Sequence, residues 1–183
     1  ADGEAHARWM REFRHLHVLL ALLRDGFNDD SPGGSVTLRA DGTPLLDYPL
    51  NAFIFDGVRR AFLSMAEIQF AAGAKQVAPV HGNGDGFTSW SAAKAGIAAF
   101  DLRPLVTRVV SAHVMGGSPF GPDPERAVVD VTGRHHHLAN LYVCDGSIFP
   151  TSIGANPQLS IYGFAARIAV GMAAGKLATP ATS

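Results

Sequence analysis

A single cysteine, Cys144, in 183 residues leaves no intrachain disulfide to staple this chain, so its cohesion must come from packing. A lone thiol suits a reducing compartment. Charge is sparse and balanced, with a formal net charge of −1 and Lys and Arg scattered along the chain. That distribution excludes the basic face that a nucleic-acid partner needs. No apolar run reaches the roughly 18–20 residues of a membrane span. The chain opens at Ala1, with neither the basic n-region nor the apolar h-region of a signal peptide. A soluble protein of cytoplasm or periplasm is the expectation. Internal repeats, low-complexity tracts and flexible linkers are also missing.

What is present is a packed globular chain, 47% hydrophobic and only 17% charged, long enough for one domain or one and a fraction. Glu4 to His15 mixes charge with Trp9, Met10 and Phe13, the pattern of an amphipathic helix. His17 to Leu23 is a dense apolar run closed by Arg24, Asp25 and Gly26; its length favours a buried strand, although its leucines permit helix. Ser35–Arg39 and Pro44–Tyr48 flank Ala40-Asp41-Gly42-Thr43. The Asp-Gly pair predicts a hairpin, since Gly tolerates the positive φ of a tight turn. Phe53 to Ala72 carries Val58, Ala61, Phe62, Met65 and Ile68 at helical spacing, with Gly73 as its stop. Lys75–Val80 reads as a short strand and Gly82–Gly86 as a glycine-rich loop. Ser89–Phe100 reads as a helix. Leu105–Met115, Ala127–Val131 and Leu141–Cys144 read as strands. A long helix runs from Pro157 to about Leu177.

Three segments carry candidate chemistry. His113-Val-Met-Gly-Gly117 puts an imidazole beside paired glycines, where backbone can approach a ligand; a histidine satisfied at a strand end is the plainer reading. Leu141-Tyr-Val-Cys-Asp-Gly-Ser147 delivers a carboxylate into a turn that can present backbone N–H groups, or is an ordinary Asp-Gly turn. Gly154-Ala-Asn-Pro-Gln158 leads into the last helix. Pro157 suits its first position and Asn156 suits its N-cap, while the positive pole of that helix can stabilise a developing anion.

In this order and spacing, together with Val128-Val129-Asp130 and Phe149-Pro150, the three segments resemble the C-terminal region of the glucose–methanol–choline (GMC) oxidoreductases. The likeness is strong from His113 to about Ala174 and weaker over Ala1 to Ala112. It implies an FAD-dependent oxidation of an alcohol CH–OH group to a carbonyl by hydride transfer to flavin. By the resemblance, His113 is the active-site histidine beside the flavin, and Asn156 is the second active-site position. Asp145 and Gly146 match a segment on the ribityl and phosphate portion, while Asn156, Pro157 and Gln158 match one on the pyrimidine edge of the ring. Asn156 and Gly117 tilt the likeness towards the cholesterol-oxidase-like or long-chain-alcohol branch. Ser118-Pro119-Phe120-Gly121 departs from the family pattern.

No Gly-x-Gly-x-x-Gly turn, the pyrophosphate cradle of a dinucleotide fold, occurs anywhere in the chain. Gly82-Asn-Gly-Asp-Gly86 has the wrong spacing. The implied partner is therefore an N-terminal FAD-binding segment or chain of the same enzyme, without which this chain should be inactive. The expected fold is α+β. Residues 1–112 form a partial substrate-binding subdomain, mostly antiparallel sheet backed by helices. Residues 113–183 add strands and the long helix that complete a Rossmann-like FAD domain. The alternative is a non-catalytic remnant serving as a structural or binding subunit.

The remaining polar residues are weaker candidates. His135-His136-His137 are adjacent and cannot all face one metal from regular structure, and no further ligand follows at suitable spacing. His15 and His17 share a face if their segment is a strand. His81 precedes the glycine loop and could contact substrate. Cys144, in an apolar strand, reads as buried and inert.

Overall fold

A computed structural model of the chain describes residues 3–82 and 86–175. The fold is α+β, with a small two-stranded antiparallel sheet and four α-helices among the described residues. The chain divides into two compact units, Ala1–Leu23 with Gly34–Val109, and Arg24–Gly33 with Val110–Ser183.

In the first unit, helix α1 (Glu4–Arg11) is followed by a 3₁₀ turn, Phe13–His15. Strands β1 (Ser35–Leu38) and β2 (Pro44–Asp47) pair antiparallel in the hairpin expected from Asp41-Gly42. Gly42 supplies φ +80°. Asp41 Oδ1 accepts the Thr43 N–H at 3.0 Å and the Thr43 hydroxyl at 2.7 Å, which closes the loop.

Helix α2 (Ala52–Ala71) starts at Asn51, whose side chain accepts the Ile54 N–H at 3.1 Å. It ends where Gly73 takes φ +91° and the Ala74 N–H reaches back to the Gln69 carbonyl, a Schellman arrangement. Helix α3 (Trp90–Ala98) is capped by Ser89, which accepts the Ala92 N–H. The two helices bury Ala66, Ala93 and Ile97 together with Val77, and Phe62, Phe70, Phe87, Trp90 and Phe100 close around them. Arg59 fastens the pair: its guanidinium donates to the carbonyls of Ile97 (2.6 Å), Ala98 (2.8 Å) and Phe100 (3.0 Å), at and just beyond the end of α3.

The second unit is organised by helix α4 (Gln158–Ala173). Its Ile168 packs on Val129 and Ile148, with Phe120, Tyr142, Val143 and Phe164 around them. The helix ends at Ala173, with Ala174 as its C-cap and Gly175 at φ +63°, short of the expected end near Leu177. Residues 83–85 of the glycine-rich loop lie outside the described residues.

The expected strands fare worse than the helices. His17–Leu23 is irregular and largely exposed rather than a buried strand, because among the described residues no second strand lies beside it to form a ladder. His15 belongs to the 3₁₀ turn, so it shares no strand face with His17. Lys75–Val80 is reduced to one bridge, Val77 to Phe87. Leu105–Met115 keeps only the bridge of Thr107 to His81. Ala127–Val131 and Leu141–Cys144 contribute single bridges, Val129 to Phe120 and His135, and Tyr142 to Arg134. β-Branched content favours extended backbone, but a strand exists only when a neighbour takes its hydrogen bonds. Cys144 is exposed rather than buried.

Candidate active site

A stretch of irregular chain, the 3₁₀ turn Gly146–Ile148 with Asp145 before it, and the start of one helix build a cleft of about 320 Å³ in the second unit. Its lining comes from Ala112, His113 and Val114, from Asp145, Gly146 and Ser147, and from Pro157, Gln158 and Ile161. Five of the six sequence-derived site residues thus meet around one space: His113, Asp145, Gly146, Pro157 and Gln158. The sixth, Asn156, is exposed immediately before Pro157 and is not part of the lining.

The segment that follows His113 is tied to the acidic turn through backbone. The Ser118 N–H donates to the Ser147 carbonyl and the Phe120 N–H to the Ile148 carbonyl, each at 2.9 Å. Between them, Gly146 is buried and closely approached on its side-chain side. A Cβ there would stand 3.1 Å from Ile161 Cδ1 and 3.2 Å from the Val114 carbonyl oxygen. The missing side chain lets the turn seat against both α4 and the His113 segment.

Asp145 is fixed by Ser147. Its Oδ1 accepts the Ser147 hydroxyl at 2.6 Å and the Ser147 N–H at 2.8 Å. The hydroxyl bond first, and then the N–H bond, hold the carboxyl below its usual range, against a smaller opposing effect of burial. Ser147 and Ile161 went unassigned in the sequence. The signal for Ser147 was the Asp-x-Ser spacing of a side-chain-closed turn; for Ile161 it was the helical i+4 step from Pro157.

Helix α4 begins without a side-chain cap, contrary to the N-cap role expected of Asn156. Pro157 itself adopts αR torsions, and its carbonyl accepts the Ile161 N–H at 2.9 Å. Because that bond is the first of the helix, the capping position falls on Pro157, and Asn156 lies one residue before it. The first-turn N–H groups carry no side-chain acceptor, so the positive end of α4 stays available at the cleft.

The weaker candidates sit elsewhere. His81 stacks on Phe100 with ring centroids 4.1 Å apart, and its Nδ1 lies 3.0 Å from the hydroxyl of buried Thr107. Burial, chiefly, holds its imidazole below the ordinary range, with Arg103 and Arg59 adding to that and Asp101 opposing. His81 is a packing residue. His136 Nε2 lies 3.0 Å from the Gly121 carbonyl, and His135 Nδ1 accepts the His137 N–H at 3.1 Å.

The sequence matches a known family and several of its members. A family model described as GMC oxidoreductase matches residues 30–165. A long-chain-alcohol oxidase of Arabidopsis thaliana is 29% identical over 163 residues, 85% of this chain and 21% of that protein. An uncharacterized GMC-type oxidoreductase of Sinorhizobium fredii is 30% identical over 129 residues, covering 69% of this chain and 25% of its own length. A cholesterol oxidase of Mycobacterium tuberculosis is 38% identical over 74 residues, 40% of this chain and 13% of that protein. The matched region therefore spans a quarter or less of each of these relatives.

Proposed function

This chain belongs to the GMC oxidoreductase family, and from that membership we propose that it forms one wall of the active site of an FAD-dependent enzyme oxidising an alcohol to a carbonyl. The observation that supports this most is the convergence of His113, Asp145, Gly146 and the open start of α4 on one cleft. The donor set fits FAD. An uncapped helix start can stabilise anionic or carbonyl oxygen, and a charged carboxylate can accept from sugar hydroxyls. The cleft volume suits part of so large a cofactor, in keeping with a site shared with the rest of the enzyme.

FAD, when bound, supplies the hydride acceptor. Asp145, Gly146, Pro157 and Gln158 are the residues that would hold it. His113, exposed at the cleft, orients the alcohol hydroxyl and accepts its proton through an imidazole nitrogen. Asn156, one residue before the cleft lining, can donate to or accept from the same oxygen through its amide. The N–H groups opening α4 stabilise negative charge that builds beside them during oxidation. The remaining half of the site, including the pyrophosphate cradle, comes from another segment or chain of the same enzyme. The relatives' names, which refer to long-chain alcohols and a sterol, favour a bulky or long-chain alcohol as substrate.

The test is the whole enzyme with His113→Ala. Its flavin spectrum should match the parent's, while flavin reduction by alcohol, followed in stopped flow, slows by about 10²–10⁴-fold, the usual contribution of a positioned acid–base group. Reduction at the parental rate would remove His113 from the chemistry. Absence of flavin from the parent would remove the proposal itself.

A further inference from the structure

The loop that carries Asn156 has little hydrogen bonding of its own. Among the described residues, no backbone–backbone hydrogen bond is formed from Thr151 to Asn156. The Gly154 N–H donates only locally, to Ser152 Oγ at 3.3 Å. Asn156 is exposed and does not cap α4. Where its amide stands is therefore set by what packs on the loop, because no ladder or cap fixes the backbone. Buried Pro157, at the start of α4, secures one end. The other end needs a second support.

Residues 24–27, in the same compact unit, supply it. Gly26 lies so close to the loop that a Cβ there would collide with Thr151 Oγ1 and stand 3.0 Å from Ser152 Cβ. Arg24 rests on Gly154: a Cβ at Gly154 would collide with Arg24 Nη1 and stand 3.2 Å from both Cδ and Cζ. Arg24 is exposed and, among the described residues, has no carboxylate partner, so an ion pair does not explain its placement. Its guanidinium lies over the Phe27 ring instead, 5.8 Å from the centroid. Phe27 takes φ +59°, the left-handed region that a bulky residue rarely enters. Burial does not account for this, since Phe27 is 73% exposed. Such strain persists where neighbouring contacts over-determine it, and it gathers at functional sites. The turn that follows is pinned: Asn28 Oδ1 accepts the Asp30 N–H at 3.0 Å, and the Asn28 carbonyl accepts the N–H of buried Ser31 at 3.0 Å.

We infer that Arg24 is a positioning residue of the proposed active site, holding Gly154 and thereby setting where the Asn156 amide stands against the alcohol oxygen. The inference rests on the reading of Asn156 as a group that meets that oxygen. The flat shape of the guanidinium carries the role rather than its charge, because what it meets is the bare Cα of Gly154.

The experiment uses the whole flavin-loaded enzyme with Arg24→Met, which keeps the stem and loses the flat head. Because Arg24 is exposed, the melting temperature should hold. Flavin reduction at saturating alcohol, followed in stopped flow, should slow by about 10–100-fold, the scale of a misplacement of up to an ångström. The alcohol concentration that half-saturates it should change little. Arg24→Lys should recover little of the rate. With Asn156→Ala already present, Arg24→Met should slow reduction no further, because the amide it places is gone. Backbone order parameters at Gly154, Ala155 and Asn156 should fall in Arg24→Met, from about 0.85 towards 0.6. A parental reduction rate in Arg24→Met overturns the proposal. So does a loss of rate that persists in full beside Asn156→Ala, which would place the effect of Arg24 elsewhere. Full rescue by lysine overturns it too, since charge would then suffice. Order parameters equal to the parent's would show that Arg24 does not hold the loop. The parent separates this proposal from the function it rests on. A parent without flavin, or with flavin that no alcohol reduces, defeats the proposed chemistry even where the loop loosens. Flavin that alcohol reduces equally fast in parent and Arg24→Met defeats only the positioning role.

Discussion

Asn156 changes meaning between sequence and structure. Its position before Pro157 suggested a cap, but α4 opens with no side-chain cap and Asn156 is exposed. Asn156→Asp should therefore leave stability within about 0.5 kcal/mol, as at most surface sites. The new charge lies next to the positive end of α4, where it competes with an anionic reduced cofactor. Slower flavin reduction and a lower midpoint potential are expected, read by stopped flow and redox titration beside a melting curve. A parental rate and potential would leave Asn156 no part in the chemistry. Asp145 gives a pH prediction. Its folded pKa lies below its unfolded one because of the Ser147 bonds, so the ionised carboxylate stabilises the fold above the unfolded pKa. That contribution fades as pH falls through the folded pKa. Ser147→Ala should raise the Asp145 pKa and move this loss to higher pH. Carboxyl chemical shifts followed through an acid titration will show it, and an unmoved Asp145 titration would mean that Ser147 does not control the group.

At the scale of elements, helices α2 and α3 are held by groups that can be named. Asn51 and Ser89 cap their starts. Arg59 closes the end of α3 with three bonds from one charged donor group. Arg59→Met keeps most of the aliphatic stem and removes those charge-assisted bonds, which leaves the Ala98 carbonyl without its partner and weakens the hold on those of Ile97 and Phe100. Stability should drop by about 1–3 kcal/mol, read as a lower urea midpoint at unchanged slope. A midpoint equal to the parent's would show that water replaces the guanidinium without loss. The same reasoning explains why the helices were legible from sequence. Caps, periodic apolar positions and Gly73 act within a few residues of one another. Val77, Thr107, Val129 and Tyr142 were read inside strands but make only isolated bridges, since a ladder depends on residues remote in sequence.

For the molecule as a whole, the question is how much of a cofactor site one chain can hold. The cleft offers a carboxylate, backbone and a helix start, but the sequence contains no glycine turn suited to pyrophosphate. Isolated, the chain should bind FAD weaker than micromolar. Titration calorimetry decides this, and submicromolar one-to-one binding would mean that the cleft suffices by itself. Among the described residues no helix is long and apolar enough to cross a membrane. Val18, Leu20 and Leu22, and Val36, Leu38 and Leu46 of the hairpin, are exposed aliphatics.

By itself the sequence determined where the helices lie, the hairpin turn, and the family, because each is written in short motifs whose physics is local or whose order is diagnostic. His113, Asp145 and Asn156 could be named from those motifs alone. Only the tertiary structure decided that His113, Asp145 and Gln158 line one cleft while Asn156 stands outside it, since that depends on how Gly146 lets a turn rest on α4. It also decided that Cys144 is exposed and that His17–Leu23 has no neighbouring strand. Burial and strand pairing are relations between distant parts of a chain, and a residue's own neighbours in sequence do not carry them.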